Sequence, residues 1–291
     1  MNGIIIINKP KGYTSHDIVY KIKKLSNEKV GHTGTLDPMA QGVLPILIGK
    51  ATQCSKYLIN HDKTYKVELE LGKQTDTADI EGKIIKEEAV TKEILEEKNV
   101  EKTLKSMLGK QNQIPPIYSA IKVNGKKLYE YTRKGQVPEE IKAREIEIYE
   151  IDLNRIDEDK NIIEFTVKCS KGTYIRSLCE DIAKKLGTIG YMKNLIRITA
   201  GEFTIENSIE IEELESSENP QKILEKNLIS IEEFFKEKEK IELNEKRLRL
   251  FLNGVITIEE KKDDIYRIYS NNEFIGIGIV KDLKLKRDII I

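Results

Sequence analysis

The chain is 291 residues long, 39% hydrophobic and 34% charged, with 49 basic residues against 49 acidic ones and a formal net charge of zero. That length suits one large or two smaller domains, each burying a core, and no apolar run approaches the roughly 20 residues of a membrane span. Ile4-Ile5-Ile6-Ile7 has neither the basic leader nor the small-residue cleavage site of a signal peptide, so the expected compartment is the cytoplasm. Cys54, Cys169 and Cys179 share no ligand-like spacing with one another or with His16, His32 and His61. They are expected as reduced core thiols, with no structural metal.

The zero net charge hides segregation. Residues 1–60 carry 8 Lys and Arg against 3 acidic residues, 104–145 carry 9 against 4, and 168–200 carry 7 against 2. Acidic excess lies in 76–101, with 4 against 9, and in 206–245, with 5 against 13. Basic blocks that meet in space make a face able to displace counterions from phosphate.

In chain order, Gly3 to Ile7 is predicted as a short buried strand closed by the turn Asn8-Lys9-Pro10-Lys11-Gly12. Thr14 or Ser15 caps a predicted helix with Ile18, Val19, Ile22 and Leu25 inward and Lys21, Lys23 and Lys24 outward. From Val30 to Pro45, Gly31, Gly34 and Gly42 are expected to allow angles or approaches closed to a side chain, while Pro38 keeps Asp37 out of helical geometry. Val43 to Ile48 reads as a buried strand behind that loop. A carboxylate on a loop backed by a rigid strand is a catalytic candidate; alone, an Asp-Pro pair is a capped turn.

Thr52 is expected to cap a helix containing Tyr57 and Leu58, and Tyr65 to Leu71 alternates as a half-buried strand. Asp76 and Asp79 fall in the polar segment Gln74 to Gly82; the further ligands of a calcium loop are missing, so the pair reads as turn chemistry. Thr91 to Leu108 is predicted helical, broken near Asn99 and stopped by Gly109. Gln113 to Gly135 mixes prolines with tyrosines and lysines, types that stack on bases and hold phosphates.

Arg144 to Leu153 is strand-like with a change of phase near Glu150, and it should pair antiparallel with the alternating segment 163–170. Lys171 to Leu178 turns into a helix with Leu178, Ile182 and Leu186 on one face. Arg176 falls in its first turn, where a cation opposes the macrodipole unless an anion meets it; Asp37 is the candidate anion. Leu195-Ile196-Arg197 leads a further strand toward Phe203. Helical signals recur at Ile209 to Leu214 and Ile231 to Phe235, and from about Ile241 apolar alternation with Asn253-Gly254 suggests a small β domain.

The stretch from Val30 to Pro45 resembles the catalytic loop of pseudouridine synthases of the TruB type, which modify uridine 55 in the T-loop of tRNA. The opening Asn-Lys-Pro-x-Gly turn at Lys9, the Lys-x-Tyr-x-Val pattern around Tyr65, Gly-Thr-Tyr-Ile-Arg at 172–176 and Leu195 match the same family. The resemblance implies an α+β fold: a catalytic domain over 1–238 with a central, mainly antiparallel sheet flanked by helices, an RNA-binding thumb at about 113–140, and a short PUA-like domain over 239–291. It implies that Asp37 is the catalytic aspartate, lowered in pKa by about 1 to 3 by its partner Arg176. Tyr65 and Tyr174 would lie at the base, Leu195 on the uracil, and His32 in space vacated by the flipped nucleotide. Lys9 would contact substrate, and Tyr65 would serve as candidate acceptor of the C5 proton. Ile196 stands where the family commonly has Arg, which removes one phosphate contact. No cofactor is expected, as no dinucleotide or phosphate-binding glycine fingerprint occurs. The expected partner is the tRNA T-stem-loop, bound by a monomer without an obligate protein partner. An RNA-guided synthase and a non-catalytic tRNA chaperone are the rival readings.

Overall fold

Four consecutive isoleucines make strand β1 (Gly3–Lys9) a two-sided element, buried along its whole length. Ile5 and Ile7 enter one apolar cluster, while Ile4 and Ile6 enter another on the opposite face, as period-2 alternation requires. The computed structural model that places it describes residues 1–59, 61–119, 121–123, 125–128, 131 and 141–291. Of the thumb expected at about 113–140, residues 120, 124, 129–130 and 132–140 lie outside the described residues.

The main sheet is built on β1, β2 (Val30–His32), β3 (Gln41–Ile48), β4 (Lys63–Leu71), β5 (Gly109–Gln113), β6 (Arg144–Asp157), β7 (Ile162–Cys169) and β8 (Gly190–Ala200). Across the sheet the order is 209–210, β1, β3, β8, β4, β7, β6, β5, with β2 on β3. All neighbours are antiparallel except two: 209–210 beside β1, and β8 beside β3. This is the expected α+β architecture. The phase change foreseen near Glu150 is a register shift between Ile148 and Glu150 in the β6–β7 pair.

Helix α1 (Ser15–Ser26) begins at Thr14, whose hydroxyl accepts from Asp17 N–H while the Asp17 carboxylate returns to Thr14 N–H; Asn27 closes it with φ of 53°. The long helix expected over 91–108 is shorter. A 3₁₀ turn, Lys92–Leu95, precedes α2 (Glu97–Lys105), with the break at Glu96 rather than at Asn99. Gly109 opens a strand at φ of 92° instead of merely stopping the helix. Thr52 caps no helix: its hydroxyl donates to Gly49 O inside a 3₁₀ turn that precedes the short helix Ser55–Leu58.

Helix α3 (Ile175–Lys185) has no side-chain cap from Tyr174. The Gln113 side-chain amide accepts from Tyr174 N–H at 2.8 Å and donates to Tyr174 O at 3.0 Å, which ties the helix start to the far edge of the sheet. A five-stranded sheet built mainly on β9 (Asp264–Ser270), β10 (Glu273–Lys281) and β11 (Lys284–Ile290) follows, with its own core around Ile241, Phe251, Ile268 and Leu285. Its Ile277 and Ile289 also join the cluster of Ile4, Ile6, Val43 and Leu47, so this sheet covers the second face of β1.

Candidate active site

The loop between β2 and β3 is bolted to the start of the chain. The Ser15 hydroxyl accepts from Leu36 N–H at 2.9 Å and donates to Leu36 O at 3.1 Å, and Gly12 N–H donates to Pro38 O at 2.9 Å. The Lys9 ammonium donates to Pro10 O, Tyr13 O and Pro38 O at 2.9, 2.6 and 3.2 Å. Leu36, Met39 and Ala40 are buried on either side of Asp37, whose side chain keeps 33% of its surface accessible. The sequence folds this way because the apolar neighbours of Asp37 anchor in the core while its carboxylate stays partly accessible.

Arg176, from the first turn of α3, grips that carboxylate. Its Nε lies 3.1 Å from Asp37 Oδ2 and its Nη2 3.2 Å from Asp37 Oδ1, a two-point contact between residues 139 apart in sequence. The other donors reach Tyr118 O at 3.0 Å, Thr77 O at 3.4 Å and Asp79 Oδ2 at 3.5 Å. Asp79 is the residue that sequence reasoning missed. Read as turn chemistry, it is buried, takes a 2.6 Å hydrogen bond from the Thr77 hydroxyl and one of 3.1 Å from Glu81 N–H, and forms the second anion on Arg176. The available signal was the Thr75-x-Thr77-x-Asp79 spacing, hydroxyls placed to satisfy a buried acidic segment: Thr75 also donates to Asp79 O at 2.7 Å.

Arg176 pulls the Asp37 pKa down, as expected, but the net direction is upward. Burial raises its pKa above the usual carboxylate value; Arg176 and Lys9 pull it back, and Asp79 adds to the rise. One guanidinium shared between two carboxylates does not offset the loss of water around Asp37. Glu81 is raised too, chiefly by burial and then by Asp79 and Asp37.

Tyr65 and Leu195 are buried on adjacent strands, with Leu195 opposite Val67 and Tyr65 opposite Arg197. Burial raises the Tyr65 hydroxyl, against which the charge of Arg197 acts. Tyr174 is half-buried at the head of α3, one residue short of the helix, and burial raises its hydroxyl as well. His32 ends β2 with Nδ1 buried and, among the described residues, unpartnered, and burial together with Arg197 lowers its pKa. Lys9, expected to contact substrate, is fully buried, and its three carbonyl partners leave its ammonium no donor for a phosphate; burial lowers its pKa to about 8. It holds the loop in place. Arg197 was also passed over. It sits at a core phase of β8, two residues from Leu195, and an arginine at an inward strand position was the sign of a buried cation.

Of the three glycines singled out in the loop, two require glycine. Gly34 has φ of 69° and Gly42 has φ of 116°, where an added Cβ would lie 2.2 Å from Arg197 O. Gly31 has room, its added Cβ meeting nothing nearer than 3.9 Å. Among the described residues no group of three or more His, Cys, Asp and Glu is arranged to hold a metal ion, and no helix is long and apolar enough to cross a membrane.

Residues 22–175 match the TruB family pseudouridylate synthase N-terminal domain, and residues 176–236 match the tRNA pseudouridylate synthase B C-terminal domain. The chain is 44% identical over 294 residues to the tRNA pseudouridine synthase B of Clostridium kluyveri, covering 98% of each chain. It is 46% identical over 285 residues to the protein of that name from Clostridium tetani, covering 96% of this chain and 95% of that one. In fold it is similar to a solved chain from an H/ACA RNP bound to a substrate RNA containing 2'-deoxyuridine. The TM-score there is 0.68 at 23% identity, over 99% of this chain and 85% of that one. A chain of a Cbf5-Nop10-Gar1 complex gives 0.67 at 25% identity, over 99% and 83%. With these matches spanning nearly its whole length, the chain belongs to the TruB family of pseudouridylate synthases.

Proposed function

We propose that this protein is a tRNA pseudouridine synthase, an isomerase that converts uridine 55 of the T-loop to pseudouridine with Asp37 as its reacting carboxylate. The observation that carries the reading is the two-point grip of Arg176 on Asp37 beside the buried Asp79. A paired carboxylate with 33% of its side-chain surface accessible suits attack on or proton removal from a bound nucleoside.

A uracil stacked in a folded loop is out of reach of a carboxylate so firmly held, so the nucleotide flips out at a cost of a few kcal/mol, which contacts in the flipped state offset. Tyr65, Tyr174 and Leu195 enclose the base, and His32, held neutral, enters the space left in the RNA. Isomerisation breaks the N-glycosidic bond, turns the uracil and joins C5 to the sugar, after which the C5 proton must leave. Tyr65, kept neutral by burial, relays that proton to water rather than waiting as a phenolate. Residues 113–140 and the PUA-like 239–291 grip the RNA on either side. The protein acts as a monomer in the cytoplasm, without cofactor or obligate protein partner.

The test is a T-stem-loop transcript incubated with the protein alone and mapped for pseudouridine. Product at the position of uridine 55 is expected from the native chain. None is expected from Asp37→Asn, which still binds RNA because Arg176 remains paired with Asp79. Product only in the presence of a guide RNA would favour the RNA-guided alternative. Full activity of Asp37→Asn would end the proposal.

A further inference from the structure

We propose that Gln113 is a positioning residue for this isomerisation: its side-chain amide clamps the main chain of Tyr174 and thereby sets Arg176, two residues further on, against Asp37. The proposal rests on the function proposed above. Gln113 Oε1 accepts from Tyr174 N–H at 2.8 Å and Nε2 donates to Tyr174 O at 3.0 Å, across 61 residues of sequence. Tyr174 lies one residue ahead of α3 and lends the helix no side-chain cap, so the start of α3 is closed from another strand. Tyr174 O also takes Leu178 N–H at 3.1 Å, which makes the clamped carbonyl the first acceptor of the helix itself.

The residues that follow Gln113 hold the same turn. Ile114 O accepts from the Ser177 hydroxyl at 3.0 Å, and Tyr118 O accepts from Arg176 Nη2 at 3.0 Å. That Nη2 also donates to Asp37 Oδ1 at 3.2 Å, so the guanidinium that grips the reacting carboxylate is itself held by segment 113–118. Of the groups that this segment supplies to the turn, only the Gln113 amide is a side chain, and so only it is removable by substitution.

Gln113 is the one buried residue of β5, 3% exposed at the end of a strand whose other residues are partly or fully exposed. A residue that only filled this place would be apolar, and an amide left there without partners would be costly. Both halves of the amide are instead satisfied by the main chain of one residue, which fixes the distance and the tilt of the turn that carries Arg176. The charged and titratable groups around Asp37 come from several elements: Arg176 of α3, Lys9 of β1, Asp79 and Glu81 of the 74–82 segment, Tyr65 of β4 and Tyr174 at the head of α3. Of these, Arg176 is the group Gln113 holds, and it favours ionised Asp37.

Single-turnover rate, RNA affinity and the pH titration of the Asp37 carboxyl carbon are measured for Gln113→Leu and Gln113→Asn. Gln113→Leu is close to the native side chain in size and makes neither bond. It is expected to lose about 10- to 100-fold in rate, as a displaced reacting group does, while RNA affinity, set mainly by phosphate contacts, stays within about threefold. As the grip of Arg176 loosens, the Asp37 pKa rises and the acid limb of the rate moves to higher pH. Gln113→Asn carries the same amide on a shorter arm that cannot span both Tyr174 groups, and its rate should fall between the two. A native rate in Gln113→Leu, or a loss carried wholly by RNA affinity, overturns the proposal. Should Gln113→Leu fail to fold, a native rate in Gln113→Asn overturns it. The carboxyl titration is read without RNA and separates this proposal from the one above: an Asp37 titration unmoved in Gln113→Leu removes the link, whereas a native protein inactive on RNA removes only the function.

Discussion

Arg176 and Arg197 are both buried, both reach the Asp37 loop, and are satisfied in opposite ways. Arg176 meets two carboxylates, Asp37 and Asp79, and so balances charge where the chemistry occurs. Arg197 meets two carbonyls beneath the same loop, and among the described residues no carboxylate pairs with it. Two cations so close in role can differ because one orients a reacting group directly and the other fixes the backbone that carries it.

The difference predicts how each fails. Arg176→Ala should cost the most in stability, about 3 to 5 kcal/mol, because it strands Asp37 and Asp79 together without a cation; chemical denaturation reads the loss, and turnover falls with it. Native stability in that variant would mean that the two acids are solvated without help. Asp79→Asn should be milder, folding and binding RNA with about a tenfold loss of turnover as Arg176 loses its second anchor. The same variant sharpens the pH dependence. Activity requires ionised Asp37 and falls as pH drops through its pKa; Asp79 helps to raise that value, so removing its charge moves the acid limb to lower pH. An unmoved limb would show that Asp79 does not sense Asp37.

Lys9 extends the comparison to a third cation with carbonyl partners only. Lys9→Met should cost about 1 to 3 kcal/mol for unsatisfied carbonyls, read by thermal melting. In the native protein the Lys9 pKa, lowered to about 8, lies below its unfolded value, so the unfolded chain binds more protons above pH 8. The lysine's contribution to stability therefore rises with pH through that window, and Lys9→Met should abolish that rise. The smallest effect belongs to Gly31→Ala, expected within about 0.5 kcal/mol of the native protein. Gly42→Ala should be far worse, given its positive φ and the Arg197 carbonyl against it.

Much of this was legible before any coordinates. The alternation of 163–170, the Thr14 cap and the bulge near Glu150 follow from local patterning, which the sheet and helix then obeyed. The pairing of Arg176 with Asp37 was legible through a cation stranded in a helix's first turn. Asp79 was not, because a turn aspartate and a buried anion look alike until the cation that reaches it is placed. Nor was the direction of the Asp37 shift, which depends on how much water burial removes, a property of many neighbours at once. Lys9 misled for the same reason: a lysine in a turn reads as exposed until the turn folds back over it.

The shared cluster beneath β1 bears on how the protein is made. Ile4 and Ile6 leave the ribosome long before Ile277 and Ile289, and their outer face stays wet until synthesis has passed those two. A nascent chain paused before those residues would carry a bare isoleucine stripe, a target for chaperones and proteases. Deleting β10 and β11 should therefore harm the catalytic half through solubility before any loss of RNA grip is felt.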